Sequence, residues 1–334
     1  MINQKKIICT LGPSSFNTKV LNQLKKENVD IFRINLSHTK KNNILNTIKY
    51  LKKNNIKNIC IDTEGAQIRT TEVKNKTFFK KNKLIKITTD KNNTKNTICL
   101  SPYFNLQNLS LETIIKVGFD NLVLSVKKKN KKKNLIWAKV ISSGYLENNK
   151  GVHVNYNISL PALSEKDKFA IQIAKKNGVN VFALSFANNA DNVLMMRKLI
   201  GRKSFLISKI ETKNAVKNLD KICLLSDAIL IDRGDLSRYF EIEKIPPIQE
   251  KIIKVAKNNN TPAYVATNLL ETMIKNSEPT RAESNDIFST LKQGASGLVL
   301  AAETAIGSNP LECVLFLKKC LNVYKKYLIK IKNE

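Results

Sequence analysis

Lys209 and Glu211 stand two residues apart in the segment ISKIET, and Asp235 follows in DRGDL. Each segment lies at the end of a short apolar run, so neighbouring strands can aim the two carboxylates at one point. A pair of hard oxygen donors of this kind holds Mg²⁺, which keeps its remaining positions for water and substrate oxygens. A lysine on the same strand face puts a cation beside that metal. Together they would stabilise charge developing on a transferring phosphoryl group or on an enolate. The lesser alternative is two surface carboxylates paired with the abundant lysines.

A second polar group gathers where other apolar runs end. Asn35, Ser37, Asp62 and Thr63 offer four oxygen donors, of which one is charged. A weakly charged oxygen cage suits a monovalent cation better than Mg²⁺, although a hydrogen-bond network would use the same residues. His38 is one of two histidines, and His153 is far from it in the chain, so no histidine metal site is expected. Four of the seven arginines, Arg33, Arg69, Arg233 and Arg281, adjoin such polar clusters, where a planar fork does what a lysine cannot. Thr267, Glu303 and Thr304 close two further runs.

The elements that must position these residues show a regular rhythm. Apolar runs of strand length at 5–11, 30–36, 58–63, 179–186, 205–210, 228–233, 262–267 and 297–302 alternate with amphipathic stretches near 17–27, 39–54, 164–177, 189–200, 212–224, 247–259, 281–293 and 310–328. Eight such pairs predict a (β/α)8 TIM barrel of the α/β class, with its active site at the carboxyl ends of the strands. Residues 71–150 break the rhythm with short alternating runs such as LIWAKVI and no convincing helix. They predict a small β-barrel-like domain inserted after the third strand, the barrel being made of 1–70 and 151–334. Ser164, with Asp167 three positions later, opens the next helix.

Composition bounds the setting. The six cysteines form no C-x-x-C pair and read as small buried residues of a reducing compartment. There is no signal-type leader and no run of 18 apolar residues, so a cytoplasmic chain with no membrane partner is expected. The net charge of +30 would favour nucleic acid. However, 50 lysines against 7 arginines, with abundant asparagine, point to a residue supply set by A/T-rich coding, and no aromatics interleave with the KKKNKKKN run at 127–134. That run reads as a solvated turn, and no nucleic-acid partner is expected.

The segments KKIICTLGPSS, FRINLSH, IDTEGAQIRT, KGVHV, SLPALSEKD, ISKIET, DRGDL, ATNLLETMI, EPTRAESNDI and AAETAIGSNPLECV resemble, in order and spacing, the landmark segments of the pyruvate kinase family. The likeness runs over about 4–325 and is weakest across 71–145. It implies Mg²⁺-dependent phosphoryl transfer from phosphoenolpyruvate to ADP, giving pyruvate and ATP in glycolysis. By resemblance, Arg33 and Lys209 bind the phosphoryl group, Glu211 and Asp235 hold Mg²⁺, and the backbone at Arg233–Gly234 receives the substrate carboxylate. Thr267 lines the side from which the enolate is protonated. Asn35, Ser37, Asp62 and Thr63 resemble K⁺ ligands, and Asn35, His38, Arg69 and Lys150 resemble the nucleotide site. The inserted domain would close over the site and expel water, and a homo-oligomer stays open.

Departures from the pattern qualify these expectations. Gln67 stands where the family has Glu or Lys, which leaves dependence on K⁺ open. Glu64, Ser237 and Asn268 replace Lys, Gly and Gln, and Ala301 and Ala302 replace a Ser-Gly pair. Of the lid's paired acids, Asp120 is present. Because the sequence stops at Glu334, no C-terminal regulatory domain, and no allosteric control through one, is expected. The alternatives are a catalytically weakened relic or a metal-dependent lyase acting on pyruvate from the same barrel.

Overall fold

A computed structural model describes residues 5–65, 67–90, 97–118, 122–130, 133–156, 158 and 160–333. The chain forms two compact units, Met1–Gly65 with Ala162–Glu334, and Ala66–Pro161.

In the first unit eight strands close a parallel barrel: β1 (Lys6–Leu11), β2 (Ile31–Asn35), β3 (Ile59–Asp62), β4 (Val181–Leu184), β5 (Phe205–Ile210), β6 (Ala228–Asp232), β7 (Ala263–Ala266) and β8 (Gly297–Leu300). They neighbour one another in chain order, and β8 pairs with β1. Their near-continuous apolar runs follow from burial on both faces. Ile8, Ile31, Cys60, Ala183, Leu230, Tyr264 and Val299 fill the interior, while the other strand faces pack on the surrounding helices through residues such as Leu21, Ile48, Met196, Ile252 and Leu317.

The helices lie where the 3.6-residue pattern puts them, with three differences. The stretch 39–54 opens as a 3₁₀ turn, Lys41–Asn43, and becomes α-helical only over Ile44–Lys53. The stretch 212–224 divides into Lys213–Lys217 and Leu219–Leu225 at Asn218, whose amide bonds the carbonyls of Asn188 and Asn214. The last helix runs Pro310–Asn333, beyond the expected end. Ser164 and Asp167 form a full capping box, as do Thr280 and Glu283 at the helix Arg281–Gln293. Each such cap contributes about 0.5–2 kcal/mol.

Asp167 does more than cap. Its buried carboxylate accepts from the Glu64 and Gly65 N–H groups (2.8 and 3.1 Å) and from the N–H and hydroxyl of Ser164 (both 3.0 Å). It therefore ties the end of the β3 segment to the start of a helix a hundred residues away.

The second unit is a seven-stranded sheet in the order Val152–Val154, Ile114–Val117, Leu122–Asn130, Leu135–Ser142, Leu84–Thr88, Thr97–Ser101 and Arg69–Thr71, with a separate two-stranded ribbon from Thr77–Phe79 and Gly144–Leu146. A bridge between Arg69 and Gly151 draws the two ends of the sheet together. Ile87, Leu100, Leu124, Ile136 and Val140 fill its core. Asp120 and positions 131–132 of the lysine run lie outside the described residues. Among the described residues no helix is long and apolar enough to cross a membrane.

Candidate active site

The carboxyl ends of β3 to β6 meet at Lys209. This residue is 5% exposed, and its Nζ lies 2.8 Å from Glu211 Oε1 and 3.5 Å from both Asp62 Oδ2 and Asp232 Oδ2. It also donates to the Ser185 hydroxyl (3.3 Å). The parallel register sets this up. Lys209 pairs with Leu230 and Ile210 with Ile231, so Glu211, one residue past β5, comes level with Asp232 at the end of β6.

Glu211 is fully buried. Its Oε2 accepts from the Phe186 N–H (2.6 Å), whereas Oε1 makes no hydrogen bond of sound geometry. One carboxylate oxygen from each of Glu211, Asp232 and Asp235 falls within 4.8 Å of the others. Asp235 arrives from the helical turn Arg233–Leu236 beyond β6, not from a strand end level with Glu211; that level belongs to Asp232. Three hard oxygens gathered at one point, with Glu211 Oε1 engaged by the Lys209 ion pair at 2.8 Å, are a donor set that fits a divalent cation of the Mg²⁺ kind.

The electrostatics agree. Burial alone would lower the Lys209 pKa, but Asp62, Glu211 and Asp232 outweigh it and hold the amine above its ordinary value. Burial pushes the Glu211 carboxyl up, and Asp235 and Asp232 add to this against the pull of Lys209. Lys209 therefore stays cationic across the neutral range. Glu211 binds its proton more tightly than usual, chiefly because burial penalises its charged form and secondarily because Asp235 and Asp232 stand near, and an arriving metal ion would take the proton's place.

Arg33, on β2, is 5% exposed, and its Nε stands 3.2 Å from Asp62 Oδ2. Neither Nε nor Nη1 makes a hydrogen bond within the protein. Buried guanidinium donors left in this state are suited to an incoming anion. Asn35 is the register partner of Asp62 across β2 and β3, and its side chain caps the 3₁₀ turn Leu36–His38 by accepting from the Ser37 N–H (2.9 Å). Thr63 takes the Ser185 N–H on its hydroxyl (2.9 Å) and the Ser185 hydroxyl on its carbonyl (2.6 Å). His38 is exposed on that turn.

On the far side of the mouth, Thr267 follows β7 with a φ of +72°. The Arg233 side chain does not point into the mouth: Nε and Nη2 donate to the Thr267 carbonyl (3.0 and 2.5 Å) and Nη1 to both oxygens of Asp286 (2.9 and 2.8 Å). The Gly234 N–H donates to the Thr267 hydroxyl (2.9 Å). Glu303 and Thr304 are fastenings: Glu303 accepts from the Leu270 and Ala301 N–H groups, and Thr304 donates to the Thr10 carbonyl.

In the second unit Arg69 donates to the Asn149 carbonyl, Lys150 pairs with Glu147, and the Thr70 N–H donates to the Lys150 carbonyl, so Arg69 and Lys150 share one seam. Reading the sequence alone passed over Asp232 and Ser185. Asp232 adjoins Arg233 in DRGDL and could have been found by extending the register by one residue. Ser185 had no signal beyond its place after β4.

A closed parallel barrel that gathers carboxylates, a lysine and an arginine at the carboxyl ends of its strands defines the (β/α)8 class of enzymes built for metal-assisted chemistry. The family model described as "Pyruvate kinase, barrel domain" matches residues 2–314. A pyruvate kinase of Thermotoga maritima is 33% identical over 97% of this chain and 71% of its own length. Pyruvate kinases of Sporosarcina psychrophila and Dictyostelium discoideum are each 31% identical over 94% of this chain, covering 56% and 65% of theirs. The chain belongs to the pyruvate kinase family, and it spans between about half and seven tenths of the length of these relatives.

Proposed function

We propose that this chain transfers a phosphoryl group from phosphoenolpyruvate to ADP, giving pyruvate and ATP, as a glycolytic kinase of the cytoplasm. The observation that carries the reading is the buried Lys209 amine, set among Asp62, Glu211 and Asp232 from three different strand ends. Its neighbour Arg33 has guanidinium donors left without hydrogen bonds.

In this reading Arg33 and Lys209 bind the phosphoryl group. The bond from phosphorus to the enol oxygen breaks as the bond to the terminal ADP oxygen forms, and Lys209 offsets the charge on the group in flight and on the enolate left behind. Bound Mg²⁺ would supply Lewis-acid stabilisation of the phosphoryl and enolate oxygens. Glu211 and Asp235 would hold it, with Asp232 as a third donor. The backbone at Arg233–Gly234 takes the substrate carboxylate, with the Gly234 N–H shared between it and the Thr267 hydroxyl, and the enolate gains its proton at C3 on the side where Thr267 stands.

Asn35, Ser37, Asp62 and Thr63 are proposed to hold K⁺. The residue types support this, one carboxylate among neutral oxygens, although Asp62 Oδ2 also pairs with Arg33 (3.2 Å) and Lys209 (3.5 Å), and Gln67 carries no charge to replace the ion. Nucleotide contacts from Asn35 and His38 in the barrel unit, and from Arg69 and Lys150 in the sheet unit, rest on the motif matches alone.

The test is ATP formation from phosphoenolpyruvate and ADP with Mg²⁺, with and without K⁺, for the purified chain and for Lys209→Met. Activity in the parent and its loss in the variant is the expected result. A folded parent that binds Mg²⁺ yet forms no ATP would turn the reading to a relic or a lyase.

A further inference from the structure

Thr267 and Asn268 are consecutive residues with side chains in the left-handed region, at φ +72° and +54°. For a β-branched residue this is a true outlier, and such backbone persists only where its surroundings over-determine it. A glycine would end β7 at lower cost. Holding a threonine there takes several fastenings, which is reason to ask what its hydroxyl is held for.

The fastenings form one chain. Asp286, on the helix Arg281–Gln293, receives both of its hydrogen bonds from Arg233 Nη1, and the same guanidinium donates through Nε and Nη2 to the Thr267 carbonyl. The Thr267 hydroxyl accepts from the Gly234 N–H and donates to the Ala266 carbonyl (2.6 Å), so its rotamer is set along with its backbone. A lysine at 233 has no planar fork with which to engage a carboxylate and a carbonyl together.

We propose that Asp286 is a positioning residue: through the Arg233 fork it fixes the strained backbone of Thr267 and the direction of that hydroxyl at the barrel mouth. This rests on the kinase reading, in which Thr267 stands where the enolate is protonated. Asp286 then governs the proton step and leaves phosphoryl binding to Arg33 and Lys209.

The experiment compares the full-length parent with Asp286→Asn in two assays. One is ATP formation from phosphoenolpyruvate. The other is deuterium entry into the pyruvate methyl group in D₂O with Mg²⁺ and ATP. In the variant, exchange is expected to fall about ten-fold or more, in line with the worth of a placed proton-transfer group, while the phosphoenolpyruvate KM and the melting temperature stay close to the parent's. If Asp286→Asn does not fold, Asp286→Glu carries the test, with a several-fold fall expected because the longer side chain displaces the fork. A parent that forms no ATP overturns the kinase reading and this inference with it. A working parent whose variant exchanges at the parental rate, or loses exchange only in step with folded protein, overturns the positioning role alone.

Discussion

Asp232 Oδ2 lies 3.5 Å from Lys209 Nζ across the seam between β6 and β5. This contact adds a third carboxylate to the pair that residue spacing suggests, and it sets the first prediction. Asp232→Asn keeps the side-chain shape and removes one negative charge, so divalent-ion affinity should fall by about 10- to 100-fold. Titration with Mn²⁺, followed by water proton relaxation, measures it; parental affinity in the variant would remove Asp232 from the cation site.

Arg33→Lys keeps the charge but removes the fork whose Nε and Nη1 are left without hydrogen bonds inside the protein. Loss of one or two charge-assisted bonds to a phosphoryl group predicts a fall in kcat/KM for phosphoenolpyruvate of about 10- to 100-fold. Steady-state kinetics decide this, and a lysine variant as efficient as the parent would show that charge alone is needed.

Asp167 gives a pH signature. Burial raises its pKa against the opposing hydrogen bonds from Ser164 and Glu64, and burial wins. A carboxyl raised in the folded state stabilises that state most below its unfolded value, and the contribution is lost as pH rises through the folded value. The stability of the parent relative to Asp167→Asn should therefore be greatest in acid and shrink towards neutral pH. Urea unfolding across that range reads the difference, and a gap that widens with rising pH would contradict the assignment. At neutral pH Asp167→Asn leaves at least one of the four donors unsatisfied, at a cost of about 1–3 kcal/mol.

Gly12 ends β1 against the turn after β8. A Cβ there would meet the Ala305 carbonyl oxygen at 2.5 Å and the Ala305 Cβ at 2.9 Å. Neither atom belongs to a flexible side-chain end, so the turn must shift. Gly12→Ala should destabilise the barrel by about 1–3 kcal/mol, seen as a lower denaturant midpoint with little change in slope.

Much of this protein was legible before the fold was known. Apolar runs with a following amphipathic segment specified eight strand–helix pairs, because burial on two faces and burial on one stripe leave different periodicities. Lys209 and Glu211, two apart at the end of one extended run, had to share a face. Arg33 stood out among lysines because its chemistry cannot be exchanged.

Other features depended on closure and register, which no local pattern encodes. Asp232 joined the carboxylates because the β5–β6 pairing places it level with Glu211, and Asp235 entered from a turn beyond the strand. Ser185 reached Lys209 and Thr63 because β4 sits between β3 and β5. The direction of the Arg233 fork was decided by Asp286, 53 residues further on, and by a carbonyl whose orientation follows from a left-handed φ. Sequence determines which groups are available and which strand carries each. Their meeting at 3 Å is a property of strand register and barrel closure, and only the tertiary structure sets those.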